Sequence, residues 1–255
     1  MDDFSQVSKL AKKIILKFCE CTLIILSLFQ LSSYFGYTLV GKRTAIYLRG
    51  KMDKYKILGR SGAGSLIPEF LLTELGVEYG IDFSKPKDLS DLSNERFNPL
   101  GRIPVLICPN GVKIFETVAI VTHITSQFPG LTPETKEPEF MLYWQVLALL
   151  STTIYPAYHR QHHSIAYVDE IGCQSLLVKA QEEQSIVFDY LEGLFSPFLC
   201  GNQISAVDFY FYTLSRWDLN KARLREGRPN LTAFLDKMRS RDTVDKVLKN
   251  QPKRK

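Results

Sequence analysis

Strand signals are confined to the first half of this chain, and that division limits the folds it can adopt. Between residues 54 and 128, short strand-like segments alternate with helical ones, and Asn110-Gly111 is typical of a hairpin turn. The segment 129–138, PGLTPETKEP, has three prolines in ten residues and is typical of a linker. Beyond it, apolar residues recur only at helical spacing. We therefore expect a small α/β domain followed by an all-helical domain.

The pattern over residues 54–128 predicts the element order β-α-β-α-β-β-α, with a mixed sheet. Strands are expected at Tyr55–Leu58, at Glu78–Phe83 and in a hairpin over residues 105–115. Helices are expected at Ser65–Leu75 and from Glu116 to about Phe128.

The second part predicts four long helices, with the third opened by a capping box. In that box the Ser205 hydroxyl and the Asp208 carboxylate each reach the backbone amide of the other residue, so both side chains are expected to be structural. The four helices are expected at about 140–163, 169–195, 205–216 and 229–248.

The first 51 residues differ from the rest in charge and in apolarity. They hold eight basic and three acidic residues, whereas residues 52–255 hold 24 of each. Because residues 52–255 have no net charge, they are not expected to bind nucleic acid. Residues 21–41 carry no charge, and as a helix they would span about 30 Å, close to a bilayer's hydrocarbon thickness. A membrane anchor and a misassigned start upstream of Met52 both stay open. A signal peptide is a third alternative, although no small-x-small cleavage site follows cleanly.

The cysteine and histidine patterns indicate a reduced protein without a metal site. The five cysteines are odd in number and include no CxxC pair, which is typical of an intracellular chain. The four histidines lack the spacing of a zinc site. We therefore expect no metal and a cytoplasmic location, or a membrane-anchored one if residues 21–41 are a real anchor.

Three motifs resemble the soluble glutathione S-transferase superfamily, over a region from about Lys54 to Leu248. NPLGRIPVL (98–106) is similar to the family's loop before its third strand, whose proline is cis. IFETVAIVTHI (114–124) is similar to its Glu/Gln-Ser/Thr turn and helix, and GNQISAVDFYFYTLSRW (201–217) to its capping-box helix. The resemblance implies a thioredoxin-like α/β N-terminal domain over 52–130 and an all-α C-terminal domain over 131–255, behind the extension 1–51.

The resemblance also implies glutathione as co-substrate, bound by Arg102, Ile103, Pro104, Glu116 and Thr117. An Ile103-Pro104 bond held cis would leave the Ile103 N–H and C=O free to pair with an extended peptide. Glu116 would take the γ-glutamyl ammonium. Thr117, together with the free amides of a helix start, would take the γ-glutamyl carboxylate. The structural alternative is that Glu116-Thr117 only caps the helix.

The group that activates the thiol is less well defined by the motifs. Family members place a Tyr, Ser or Cys just after the first strand, but here Leu58-Gly59 falls at the approximate tyrosine position and Gly64 at the cysteine position. Ser65, with Ser61 as the alternative, is the candidate catalytic residue of a Ser-type, bacterial-like transferase. Activation by backbone amides stays open, as does a purely structural role for Ser65 as a helix N-cap.

The leading functional hypothesis is a homodimeric glutathione transferase that conjugates a small hydrophobic electrophile, as in detoxification. Tyr158 and His162, one turn apart on the first long helix, are expected to face that electrophile. One alternative is a non-catalytic binding or scaffold protein of the same fold, tethered to a membrane if the anchor is real. Another is a glutathione-dependent isomerase or dehalogenase.

Overall fold

A computed structural model describes residues 54–83, 98 and 100–252. The extension 1–51, with its apolar segment 21–41, lies outside the described residues, and so does the polar stretch 84–97. The second helix of the expected element order falls in that stretch and stays a prediction. Among the helices that are described, none is long and apolar enough to cross a bilayer.

A four-stranded mixed sheet forms the centre of the first part. Its strands are β1 (Tyr55–Leu58), β2 (Tyr79–Asp82), β3 (Val105–Ile107) and β4 (Lys113–Phe115), in the order β2-β1-β3-β4. β1 runs parallel to β2 and antiparallel to β3, and β3 and β4 form the expected hairpin.

The strand register brings three loops together at the same end of three neighbouring strands, β1, β3 and β4. Leu58 at the end of β1 pairs with Val105 at the start of β3, and Val105 also pairs with Phe115 at the end of β4. The loop after β1, the loop before β3 and the turn after β4 therefore leave the sheet side by side. The residues expected to bind glutathione or to activate its thiol all lie in or next to these three segments.

Two helices, α1 (Leu66–Glu74) and α2 (Thr117–Gln127), pack on each other beside the sheet. In α2 the side chains of Ile120, Val121 and Ile124, which share one face, have no exposed surface. Each helix begins directly after one of the three loops, so their N-terminal amides point toward the same region. Both helices match the sequence prediction to within two residues at each end.

Helices make up the second part, as expected, but their boundaries differ from the prediction in three places. The first long helix contains a π-helical turn, residues 240–241 interrupt the last one, and a short helix follows residue 220. At the interruption Arg241 is extended (ψ 137°) and its guanidinium pairs with Glu74 of α1, a long-range contact that no local pattern reveals. The elements are α3 (Glu139–Leu149), the π-turn (Leu150–Ile154), α4 (Tyr155–His162), a 3₁₀ turn (Ser164–Ala166), α5 (Glu170–Glu192), α6 (Ala206–Ser215), α7 (Lys221–Arg225), α8 (Pro229–Arg239) and α9 (Asp242–Lys249).

Helix α6 is the buried centre of the second part, and all ten of its residues are buried. Its expected capping residues are structural. Asp208 Oδ2 accepts hydrogen bonds from the Ser205 amide and from the Ser205 hydroxyl, each at 2.8 Å. Asp208 Oδ1 accepts a third from the Leu199 amide at 2.9 Å. The carboxylate therefore ties the preceding chain to the start of α6.

Candidate active site

A cavity of about 910 Å³ lies where the three loops meet the helices of the second part. Residues 60–64, 101–104 and 116–118 line one side of it. The opposite side is formed by α4 together with Tyr210 of α6 and Trp217. The cavity is large enough for a tripeptide and a second small molecule.

The five residues expected to bind glutathione all line this one cavity: Arg102, Ile103, Pro104, Glu116 and Thr117. The bond between Ile103 and Pro104 is cis, as the resemblance implied. Arg102 and Glu116 are exposed, whereas Pro104 and Thr117 are buried, so the charged groups lie at the open side of the cavity. Residues 14 positions apart in the sequence are brought together by the pairing of β3 with β4.

Glu116 has a backbone conformation that a capping role does not explain. Its φ is 66° and its ψ is 123°. A residue with a side chain adopts this backbone conformation only at a cost in conformational free energy, and such strained residues cluster at functional sites. Although Glu116 stands at the N-cap position of α2, its side chain makes no capping hydrogen bond. The turn instead leaves the carboxylate on the cavity wall, next to the free amides of the first turn of α2.

The structure does not bring Ser65 to the cavity. Its side chain is fully buried, and its hydroxyl donates to the Arg60 carbonyl at 3.0 Å and accepts from the Arg60 amide at 3.3 Å. Ser65 stands at the N-cap position of α1, but its side chain makes no capping hydrogen bond there and is bonded to the Arg60 backbone instead. Ser65 packs so closely on Gly59 that a Cβ at Gly59 would lie 2.3 Å from the Ser65 Cβ. This packing excludes any side chain at Gly59.

Ser61 does line the cavity, but its hydroxyl is already engaged. It donates to the carbonyl of Pro252 at 2.9 Å. The neighbouring Gly62 amide donates to Gln251 Oε1 at 3.2 Å, and Trp217 Nε1 donates to the Gly62 carbonyl at 2.9 Å. The loop after β1 is thus fastened by three residues of the second part, which local sequence patterns do not predict.

The two residues expected to face an electrophile are largely occupied by protein partners. Tyr158 borders the cavity but is 1% exposed, and its hydroxyl donates to Asp218 Oδ2 at 3.0 Å. His162 Nε2 lies 2.8 Å from the carbonyl oxygen of Trp217, to which it donates. The Tyr158 hydroxyl and His162 Nε2 are therefore bonded to the protein and not available to a ligand.

Tyr155, His159 and Tyr167 also border the cavity from the α4 region. His159 Nδ1 lies 2.7 Å from the Tyr167 hydroxyl. Burial, together with the charges of His163 and Arg102, lowers the pKa of His159, so the ring is held toward its neutral form. Tyr155 is the first residue of α4, and nothing in its sequence neighbourhood distinguishes it from packing residues.

The comparisons with known proteins agree with this geometry. Residues 53–126 match the family model described as the glutathione S-transferase N-terminal domain, and residues 151–242 match the model of its C-terminal domain. The chain therefore belongs to the glutathione S-transferase superfamily. The expected fold class, a thioredoxin-like domain followed by an all-α domain, is confirmed.

Two curated relatives and two solved structures cover most of this chain. The uncharacterized GST-like protein YncG of Escherichia coli K12 is 25% identical over 76% of this chain and 97% of its own length. Glutathione S-transferase GstA of Escherichia coli O157:H7 is 24% identical over 76% and 96%. A sphingomonad glutathione S-transferase complexed with glutathione has a TM-score of 0.62 at 25% identity, covering 76% of this chain and 97% of that one. A Sulfitobacter glutathione transferase homolog with bound glutathione has a TM-score of 0.67 at 20% identity, covering 77% and 97%, and shows the shared fold.

Proposed function

We propose that this protein is a glutathione transferase, which joins the sulfur of glutathione to a small electrophile. One observation carries the proposal: the five side chains and backbone groups that a glutathione site requires line a single cavity, next to the N-terminus of α2. Family membership and the glutathione-bound relatives support it.

The groups on the cavity wall can bind the charged groups and the backbone of glutathione. The Glu116 carboxylate can pair with the γ-glutamyl ammonium, and the Thr117 hydroxyl with the helix amides can hold the γ-glutamyl carboxylate. The backbone of Ile103 can pair with the peptide in the manner of an added strand. The exposed guanidinium of Arg102 can attract a carboxylate of the peptide.

The start of α1 supplies part of what the thiol needs. Thiolate is the nucleophile, and helix N-terminal amides lower thiol pKa values because they stabilise the anion. Within the described residues, the Gly64 and Ser65 amides donate to no backbone or side-chain acceptor. Gly64 lines the cavity, and as a glycine it presents backbone rather than a side chain there.

Glutathione affinity is expected to fall by about 10- to 150-fold when Glu116 is replaced by alanine. A charge-assisted bond to the ammonium, of about 1.5–3 kcal/mol, would be lost. Glu116→Gln is the matched control, because it keeps the side-chain length and an acceptor oxygen, and we expect a smaller loss. Calorimetric titration with glutathione measures both. Equal affinities for a folded Glu116→Ala variant and the wild type would remove Glu116 from the site.

Non-catalytic binding is the second candidate function, because each candidate serine donates its hydroxyl proton to a backbone carbonyl. Retention on immobilised glutathione followed by conjugation of 1-chloro-2,4-dinitrobenzene separates the two. Retention without conjugation would favour the binding protein, and failure of both would reject a glutathione site. A cytoplasmic location and an isomerase or dehalogenase reaction stay open predictions.

A homodimer is also proposed, from the resemblance alone. One chain has a mass of 29.2 kDa, and we expect light scattering at micromolar protein concentration to give twice that mass. A mass of one chain would contradict it.

A further inference from the structure

A hydroxyl donor for the glutathione sulfur is missing from the loop where the family resemblance places it. The hydroxyl hydrogens of Ser61 and Ser65 are directed to the carbonyls of Pro252 and Arg60. Neither hydroxyl can donate to a thiolate without breaking the bond that shapes the loop. A hydroxyl that donates to the sulfur would then have to reach the start of α1 from the other side of the cavity.

Tyr155 of α4 extends its hydroxyl across the cavity to that position. A Cβ built on Gly64 would lie 2.8 Å from Tyr155 Oη and 3.3 Å from Cδ of Pro104. The oxygen therefore lies beside Gly64, where the loop after β1 meets the cis-proline. Within the described residues the Tyr155 hydroxyl has no hydrogen-bond partner, and the side chain is only partly buried.

The ring of Tyr155 is held in place by two aromatic neighbours. Trp217 contacts it edge-on with ring centroids 5.1 Å apart, and Tyr210 contacts it edge-on at 6.4 Å. Trp217 is also the residue that donates to the Gly62 carbonyl. The same indole thus positions both the phenol and the loop that the phenol faces.

The π-turn over Leu150–Ile154 accounts for the direction in which Tyr155 points. A π-turn adds one residue to a helix, which rotates every later side chain by about 100° relative to an unbroken α-helix. Tyr155 follows directly after this turn. Such turns are frequent at functional sites.

The charges around the phenol favour a protonated donor. Burial raises the pKa of Tyr155 to about 12, while Arg60 and Arg102 oppose that rise and Glu116 adds to it. The phenol therefore keeps its proton at neutral pH, and the same two guanidinium groups stabilise an anion that binds next to the phenol.

We propose that Tyr155 is a catalytic residue that donates a hydrogen bond to the sulfur of bound glutathione and stabilises its thiolate. The inference rests on the proposed transferase function. The thiol proton leaves to water, and the phenol retains its own. The thiolate then attacks the ring carbon of an aryl halide, forming a C–S bond while the halide departs with the electron pair of the C–halogen bond. The hydroxyl comes from the second part of the chain, so no motif near β1 carries it.

The test is the pH dependence of the ultraviolet thiolate absorbance of bound glutathione in the full-length protein. In Tyr155→Phe we expect the pKa of the bound thiol to rise by about one unit or more, the equivalent of a ten-fold loss of thiolate at neutral pH. Turnover of 1-chloro-2,4-dinitrobenzene should fall about as much at neutral pH and recover as the pH rises, with glutathione affinity little changed. Tyr190→Phe is the control, because Tyr190 lies outside the cavity and bonds to Gln145 on the protein surface.

Gly64→Ala provides a second, independent variant. Its φ lies outside the left-handed region, so alanine is allowed there, but the new Cβ would push the Tyr155 hydroxyl away. We expect Gly64→Ala to raise the thiol pKa in the wild type and to add little in Tyr155→Phe. An unchanged thiol pKa in glutathione-bound Tyr155→Phe would reject the role of Tyr155 and leave the transferase function standing. A wild type that binds no glutathione would reject both.

Discussion

Replacing Asp208 with alanine is expected to lower the free energy of unfolding by about 3–5 kcal/mol. The carboxylate is fully buried and accepts hydrogen bonds from the Ser205 amide, the Ser205 hydroxyl and the Leu199 amide. Alanine would leave these buried donors without a partner, at about 1–3 kcal/mol for each unsatisfied group, and would remove the helix cap. Denaturant unfolding at neutral pH measures the loss.

Two comparison variants make the result specific to buried capping. Asp208→Asn keeps one acceptor oxygen, so we expect an intermediate loss. Asp242 also lies in the first turn of a helix, α9, but is exposed, and Asp242→Ala should cost less than about 1 kcal/mol. Equal losses at the two aspartates would show that the buried hydrogen bonds of Asp208 contribute little.

The second large effect concerns Glu69, and it depends on pH. Glu69 is 2% exposed on α1, and Oε2 accepts from Gln251 Nε2 at 2.8 Å while Oε1 has no partner among the described residues. Burial raises the pKa of Glu69 from 4.5 to about 7, and the hydrogen bond from Gln251 reduces that rise. The folded state thus holds this proton more tightly than the unfolded chain does.

The stabilisation from that proton is complete below pH 4.5 and is lost as the pH rises through about 7. A shift of this size is worth about 3 kcal/mol. We expect Glu69→Gln to abolish this part of the pH dependence and to gain in stability relative to the wild type between pH 5 and about 8. The difference between the two unfolding curves isolates Glu69, because Asp208 contributes equally to both.

Glu78→Gln is the control for this experiment, since Glu78 is exposed just before β2. It should unfold with the same pH dependence as the wild type. A flat difference curve between the wild type and Glu69→Gln would mean that Glu69 is as easily ionised in the folded protein as in the unfolded chain.

Features encoded in short segments were predictable from the sequence. The hairpin with its Asn-Gly turn, the helix that follows Glu116 and the capping box at Ser205 each depend on neighbouring residues only. The five residues proposed to bind glutathione could be named because two short motifs, at 98–106 and 114–124, flank one hairpin. Their convergence on one cavity then depends only on strand pairing.

The placement of Ser65 and Tyr155 depends on contacts that no short segment encodes. The Ser65 hydroxyl is taken by the Arg60 backbone because Gly59 lets the two parts of the loop approach each other. Tyr155 faces the cavity because of a π-turn, whose LSTTI sequence has no distinguishing pattern. The contacts of Gln251 and Pro252 with the loop after β1 span about 190 residues of sequence, beyond the reach of periodicity.

The attachment of that loop to the far end of the chain has a consequence for recombination between relatives. Gln251 joins Glu69 to the Gly62 amide, Pro252 holds Ser61, and Trp217 holds the Gly62 carbonyl. A chimera that takes its α/β half from this chain and its helical half from a relative would keep every residue of the proposed glutathione wall, but it would keep the loop fastened only if the relative supplies counterparts of Trp217, Gln251 and Pro252. A graft of either half therefore has to preserve the contacts of Trp217, Gln251 and Pro252 with this loop.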